Sequence, residues 1–429
     1  MKRALIITYY WPPAGGPGVQ RWLKFVKYLR DYNIEPVVYI PKNPSYPIID
    51  DTFFSDIPKD IEILKVPIKE PYKLAKKFSK KKTQQISSGL ISNKKQSFIE
   101  KLLLYIRGNF FIPDARKAWV KPSVKFLKNY LVLNTVDIII TTGPPHSLHL
   151  IGLGLKKNLN IKWIADFRDP WTSIGYHNKL KLSKASKQKH LNMEAEVLNT
   201  ADAIIVTSKT TKAEFKTKTE KPIEVITNGY DSLSEKNNLN LDTKFSLVHI
   251  GSLLSGRNPV VLWEIISELC NENTDFANNF SLKFAGVVSG EVLQSIKEYS
   301  LDKYLDFKGY VSHTEAIKLQ QTAQILLLLE IDSSETRCII PGKLFEYMLA
   351  NRPILALGPE GSDIKDIIDE TNIGTFFLYS EKAKLKKQLL GYFENFKLNS
   401  LQNSPQNIIK YSRKELTKTL ASLINLTTK

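Results

Sequence analysis

Lys343 and Glu346 stand three residues apart in Ile340-Pro341-Gly342-Lys343-Leu344-Phe345-Glu346-Tyr347, a segment that closes with Asn351-Arg352-Pro353. Pro-Gly opens a helix there, and Asn-Arg-Pro turns the chain back into a strand, so the two charged side chains share one face near the helix N-terminus. An ammonium group beside the amides of Gly342, Lys343 and Leu344 suits a diphosphate, and a carboxylate one turn deeper can accept both hydroxyls of a ribose. The plain alternative is a surface i,i+3 ion pair, which the strand, loop and helix context argues against. A second turn, Gly251-Ser252-Leu253-Leu254-Ser255-Gly256-Arg257-Asn258, also links a strand to a helix, and its Arg257 could be a second cation on the diphosphate.

The first half of the chain offers weaker constellations. Gly15-Gly16-Pro17-Gly18 follows the first strand and precedes an amphipathic stretch, so Gly16 and Gly18 could let a phosphate approach the backbone, or could simply make a turn. The segment does not read G-x-G-x-x-G, and no acid closes the second strand, which argues against a dinucleotide site. Asp166-Phe167-Arg168-Asp169 places two carboxylates and a guanidinium just past a strand end, where ligand groups gather in open α/β sheets. A structural ion pair is the competing reading. His146, in Thr141-Thr142-Gly143-Pro144-Pro145-His146-Ser147, stands at a comparable level and could touch a sugar or serve the fold.

What is missing narrows the chemistry. The sequence has no Asp-x-Asp triplet, P-loop, zinc spacing or Gly-x-Ser-x-Gly elbow, so a metal-dependent transferase, an NTPase and a serine hydrolase all lose support. No metal or cofactor is expected. Two cysteines, Cys270 and Cys338, give no disulfide framework, no run of 18 apolar residues suggests a spanning helix, and the N-terminus reads as a strand, not a signal peptide. A cytoplasmic protein is the expectation.

Those residues need two scaffolds. The 429 residues, 42% hydrophobic and 24% charged, exceed what one core usually serves. Strand-length apolar runs alternate with amphipathic stretches, the pattern of parallel sheets with crossover helices. Seven strands are predicted in the first half, at 4–8, 36–40, 61–66, 136–141, 162–166, 203–207 and 223–226, and six in the second, at 246–250, 282–286, 305–308, 325–329, 353–357 and 374–378. The fold class is α/β, with a Rossmann-like domain over 1–230 that carries a basic insertion at about 70–125, a linker at 231–244, a second Rossmann-like domain over 245–395 and a helical segment over 396–429.

The net charge of +18 is unevenly placed: residues 1–200 hold 34 of the 61 Lys and Arg but 15 of the 43 Asp and Glu, leaving +19 there and −1 over 201–429. Such asymmetry points to an anionic partner for the first domain. Between Phe98 and Phe126, Leu102, Tyr105, Ile106, Phe110 and Trp119 interleave with Lys101, Arg107, Arg116 and Lys117, and Lys76, Lys77, Lys80, Lys81 and Lys82 precede them. An anionic membrane surface would accept such an element, or its apolar residues could pack on the core. No module for nucleic acid is recognisable, and none is expected as partner.

Taken together, Pro12–Gly18, Trp163–Trp171, Ala201–Ser208, Ile226–Asp231 and Gly342–Tyr347 resemble glycosyltransferase family 4 in the family's order along nearly the whole chain. The resemblance implies the GT-B fold, two Rossmann-like domains with parallel sheets facing across a cleft. It also implies retention of anomeric configuration, no metal requirement, and a final helix returning to the first domain. Glu346 would bind the donor ribose, Arg257 and Lys343 would face the diphosphate, and the Gly16 and Gly18 amides would complete its cradle. The expected function is transfer of a sugar from a nucleotide-sugar donor to a saccharide, lipid-linked or phosphorylated acceptor in surface polysaccharide or glycan synthesis. Asp166 or Asp169 would orient the acceptor.

The sequence departs from the family at three places. Cys338 stands where the first of two glutamates eight positions apart is usual, Ser252 replaces an arginine after Gly251, and Arg168 stands where many members have histidine. Glu335 or the Ile339–Gly342 backbone could supply the missing sugar contact. Two rivals follow: a nucleotide-sugar-binding protein without activity, and a sugar-nucleotide epimerase of the same fold.

Overall fold

The computed structural model describes residues 1–70, 98–178, 180–231 and 239–429. The lysine run at 76–82 and half of the expected linker lie outside these residues. The chain divides into one unit of Met1–Asn228 with Arg413–Lys429 and another of Gly229–Ser412.

In the first unit β1 (Lys2–Ile7), β2 (Ile34–Pro41), β3 (Glu62–Val66), β4 (Ile138–Gly143), β5 (Lys162–Phe167), β6 (Ala203–Val206) and β7 (Ile223–Val225) form one parallel sheet in the order β3-β2-β1-β4-β5-β6-β7. The inner strands are buried on both faces, so they are near-continuous apolar runs whose alternate residues feed different cores. Leu5 and Ile7 enter a cluster with Leu148 and Trp163, while Ala4 and Ile6 enter one with Trp22 and Leu23. Leu416, Leu420 and Ile424 of the helix Arg413–Thr427 join that second cluster. The segment 396–412, grouped with this helix in the sequence reading, stays with the second unit instead.

The second unit repeats the plan with six parallel strands, β8 (Phe245–Ile250), β9 (Phe280–Ala285), β10 (Leu305–Gly309), β11 (Ile325–Leu329), β12 (Ile354–Gly358) and β13 (Gly374–Leu378), in the order β10-β9-β8-β11-β12-β13. Leu327 and Leu329 point to the core that holds Trp263, and Leu326 and Leu328 to the one that holds Phe345 and Met348. In each sheet the order reverses at the first strand, between β1 and β4 and between β8 and β11. Ligands of open α/β sheets settle beyond the strand ends at such a reversal.

Candidate functional site

In the second unit that reversal collects charge. Gly251 follows β8 with φ of 107°, a conformation open to glycine, and a Cβ there would come within 3.1 Å of Lys343 Nζ. Lys343 occupies the first turn of the helix Gly342–Leu349, whose N-cap Pro341 offers no side-chain cap to the helix amides. The helix is tied to β8 from inside, because the Ile250 N–H donates to Tyr347 Oη at 3.0 Å.

Two residues not foreseen from the sequence complete this cluster. His249, the penultimate residue of β8, is fully buried, and its Nδ1 lies 3.0 Å from the Leu327 carbonyl. A carbonyl only accepts, so Nδ1 carries the proton and Nε2 presents a lone pair to Lys343 Nζ, 3.3 Å away. Burial and the neighbouring Lys343 hold the ring neutral, well below the ordinary histidine range. Glu330, immediately after β11, is 2% exposed, and its Oε2 lies 3.8 Å from Arg257 Nη2. Burial lifts its carboxyl to about 7 despite the pull of Arg257 and Lys343. Burial also lowers Lys343 to about 8, with Arg257 acting in the same direction. Among the described residues neither Glu330 Oε2 nor Arg257 Nε has a hydrogen-bond partner. The cluster therefore presents cationic groups with unspent bonding capacity around one buried acid.

Glu346 sits one turn further along the helix, half-buried, and accepts from Gln320 Nε2 at 3.3 Å. Leu344 turns inward and is fully buried, so its side chain serves the core and only its backbone can meet a ligand. Glu335 is exposed on the turn Ser334–Thr336, and Cys338 is half-buried with Sγ 4.0 Å from the Glu335 carbonyl.

The first unit distributes its predicted residues differently. Asp166 is fully buried and accepts from Arg21 at 3.0 and 3.4 Å, from Trp22 Nε1 at 2.7 Å and from Thr142 Oγ1 at 2.9 Å. Its four hydrogen bonds knit the helix Pro17–Leu29 to β4 and β5. Arg168 donates to the Pro144 carbonyl and lies over the Tyr10 ring, 5.6 Å from its centroid. A Cβ on Gly18 would meet that guanidinium, the far end of a long side chain. Gly16 caps the helix Pro17–Leu29 with φ of 93°. His146 and Asp169 line one cavity.

Residues 91–232 match the model of the family described as Glycosyltransferase Family 4. No curated protein matches the chain in sequence. Among solved structures, the apo form of the lipopolysaccharide outer core galactosyltransferase WaaB is 13% identical with a TM-score of 0.59, covering 99% of each chain. TarM is equally similar, at 13% identity and 0.59 over 99% of each chain. Anabaena HepE in complex with UDP and glucose is 13% identical with a TM-score of 0.56, covering 99% of this chain and 98% of its own.

Proposed function

We propose that this chain is a family 4 glycosyltransferase, a reading supported by the match over residues 91–232 and by the GT-B fold, and that it moves a sugar, with retention, from a nucleotide-sugar donor whose diphosphate lies against Arg257 and Lys343. The observation that carries this reading is the convergence of those two cations beyond β8 and β11, where the sheet order reverses. The Gly251 and Gly342 backbones bring the phosphates close, and Glu346 accepts the ribose hydroxyls.

In such a transfer the acceptor oxygen bonds to the anomeric carbon on the face that the diphosphate leaves. The acceptor's proton passes to the departing phosphate oxygen. The enzyme's task is to hold both partners and offset the leaving group's charge, which Arg257, Lys343 and helix amides do without a metal ion. While the site is empty, Glu330 partly balances those cations.

The acceptor is proposed to be a saccharide or lipid-linked glycan of surface polysaccharide synthesis, a reading supported by the likeness to WaaB, a lipopolysaccharide outer core galactosyltransferase. Leu102, Tyr105, Ile106 and Phe110 of the helix Phe98–Phe110 are exposed, which favours docking of the first unit on an anionic membrane. Trp119, counted with them in the sequence, instead stacks on Tyr39 at 5.0 Å inside the core. Among the described residues no helix is long and apolar enough to cross a membrane.

A thermal-shift screen against UDP-, GDP-, ADP- and dTDP-sugars tests the donor assignment, because a ligand of the folded state raises its melting temperature. At least one should do so. Stabilisation by none would remove the donor site, and an epimer formed from donor alone would move the chain to another reaction.

A further inference from the structure

Lys343 starts on one face of the second sheet and reaches toward the other. Its helix, Gly342–Leu349, packs Leu344, Phe345 and Met348 into the core that also holds Val248 and Ile250 of β8. Alternation along β8 turns His249 the opposite way, toward the core of Phe245, Leu247 and Trp263. Lys343 Nζ nevertheless lies 3.3 Å from His249 Nε2. The side chain reaches that far over Gly251, where β8 has just ended and no Cβ intervenes; one placed there would stand 3.1 Å from Nζ and 3.5 Å from Cε.

An imidazole is unusual company for Phe245 and Leu247. Burying a polar ring costs free energy unless its nitrogens are bonded. The neighbouring strands hold this ring on both sides: the Leu327 carbonyl of β11 accepts from Nδ1, and Phe284 of β9 stands edge-on to it, 6.4 Å between centroids. With the proton fixed on Nδ1, Nε2 is an acceptor aimed at the lysine. Arg257, Glu330 and Glu346 are the charged groups that act on Lys343, and it forms an ion pair with neither acid. That choice of partner matters. An ammonium paired with a carboxylate has its charge offset, whereas one held by a neutral acceptor keeps its charge and its remaining N–H groups for an incoming anion.

We propose that His249 is a positioning residue for the donor diphosphate, a neutral acceptor that holds the Lys343 ammonium over the Gly251 turn and away from Glu330 and Glu346. The holding of the lysine follows from the geometry, and its service to a diphosphate rests on the transferase reading.

Two substitutions in the full chain separate this role from a structural one. His249→Asn sets an amide near the place of Nδ1, keeping a donor for the Leu327 carbonyl and losing the acceptor for Lys343. His249→Gln sets its carbonyl near the place of Nε2, keeping the acceptor and giving up the Leu327 bond. Without ligand, nitrogen NMR of the lysine ammonium groups should show one lysine titrating at about 8, absent in Lys343→Arg. A bond to the charged form favours that form, so this titration should move to lower pH in His249→Asn and stay in place in His249→Gln. Whichever of UDP, GDP, ADP and dTDP binds the wild type should bind His249→Asn about ten-fold less tightly, the loss expected for a bond to a charged group, and His249→Gln like the wild type. In a Lys343→Ala background His249→Asn should have no further effect, because the two residues act as one. Weaker nucleotide binding in Gln than in Asn, additive losses in the double variant, a titration unchanged or raised in Asn, or no lysine titrating below the ordinary range would each overturn the proposal. Binding of none of the four nucleotides would remove the transferase reading, and the titration would still decide whether His249 holds the lysine.

Discussion

The carboxylate of Glu330 lies 3.8 Å from the guanidinium of Arg257, a buried acid facing a cation at the place where a donor diphosphate would arrive. Diphosphate adds negative charge beside Glu330 and Lys343, which favours the protonated form of both. Binding therefore takes up protons, and affinity should fall as pH rises through about 7, where Glu330 ionises, and about 8, where Lys343 loses its charge. His249 stays neutral throughout this range. We expect nucleoside diphosphate affinity to drop about ten-fold between pH 6.5 and 9, one pK unit of coupling, measured by calorimetry. Glu330→Gln should bind more tightly at pH 8 and lose the lower part of that dependence; a profile identical to wild type would show that Glu330 does not sense the ligand.

Glu346→Gln should leave the fold intact and weaken donor use. Loss of one charge-assisted bond to a ribose costs about 1.5–3 kcal/mol, so kcat/KM should fall roughly ten-fold or more. A 2′-deoxyribose donor should be affected less by the variant than the ribose donor. Equal loss for both sugars would place Glu346 elsewhere than on the ribose.

Asp166→Asn should act on stability. It leaves Arg21, 1% exposed, without its counter-charge, a loss of about 3–5 kcal/mol for a buried pair, read as a lower melting temperature. If the variant melts like wild type and loses kcat, Asp166 belongs to the chemistry.

The thirteen strands were legible as runs of strand length, most plainly the inner ones, because a parallel strand buried on both faces demands nearly uninterrupted apolar sequence, while the edge strands β3 and β10 keep exposed charges at Glu62, Lys65 and Lys308. Gly251 with Arg257, and Gly342 with Lys343, stood out because each pair lies in a short stretch between a strand and a helix; that the two stretches meet beyond β8 and β11 comes from the structure. His249 and Glu330 did not stand out. Each lies at the C-terminal edge of an apolar strand, and their coming to one site depends on β11 pairing with β8 across some 80 residues, which no local pattern reports. A lone acid at the end of Ile325–Leu329 was the available signal. The bonds that bury Asp166 were not legible for the same reason, since Arg21 and Trp22 reach it from about 145 positions away.

Gly286→Ala tests how closely the loops beyond β8 and β9 are fitted. A Cβ there would stand 2.5 Å from the Gly251 carbonyl oxygen, and Gly286 has φ of 122°, a conformation strained for any other residue. The variant should lose about 1–3 kcal/mol of stability and bind nucleotide less well, because the Gly251 turn must move. Unchanged melting and binding would mean that the turn can shift without reaching Lys343.

Arg257 and Lys343 are proposed to hold the donor's diphosphate without a metal ion. Titration of UDP, GDP, ADP and dTDP into the protein in excess EDTA, repeated with Arg257→Ala/Lys343→Ala, tests it most directly. The account predicts that at least one nucleotide binds the wild type in EDTA and that the double variant, still melting cooperatively, binds it about a hundred-fold less tightly, since two charge-assisted contacts of about 1.5–3 kcal/mol each are lost. Binding abolished by EDTA and restored by Mn²⁺, or a double variant that binds like the wild type, would contradict it.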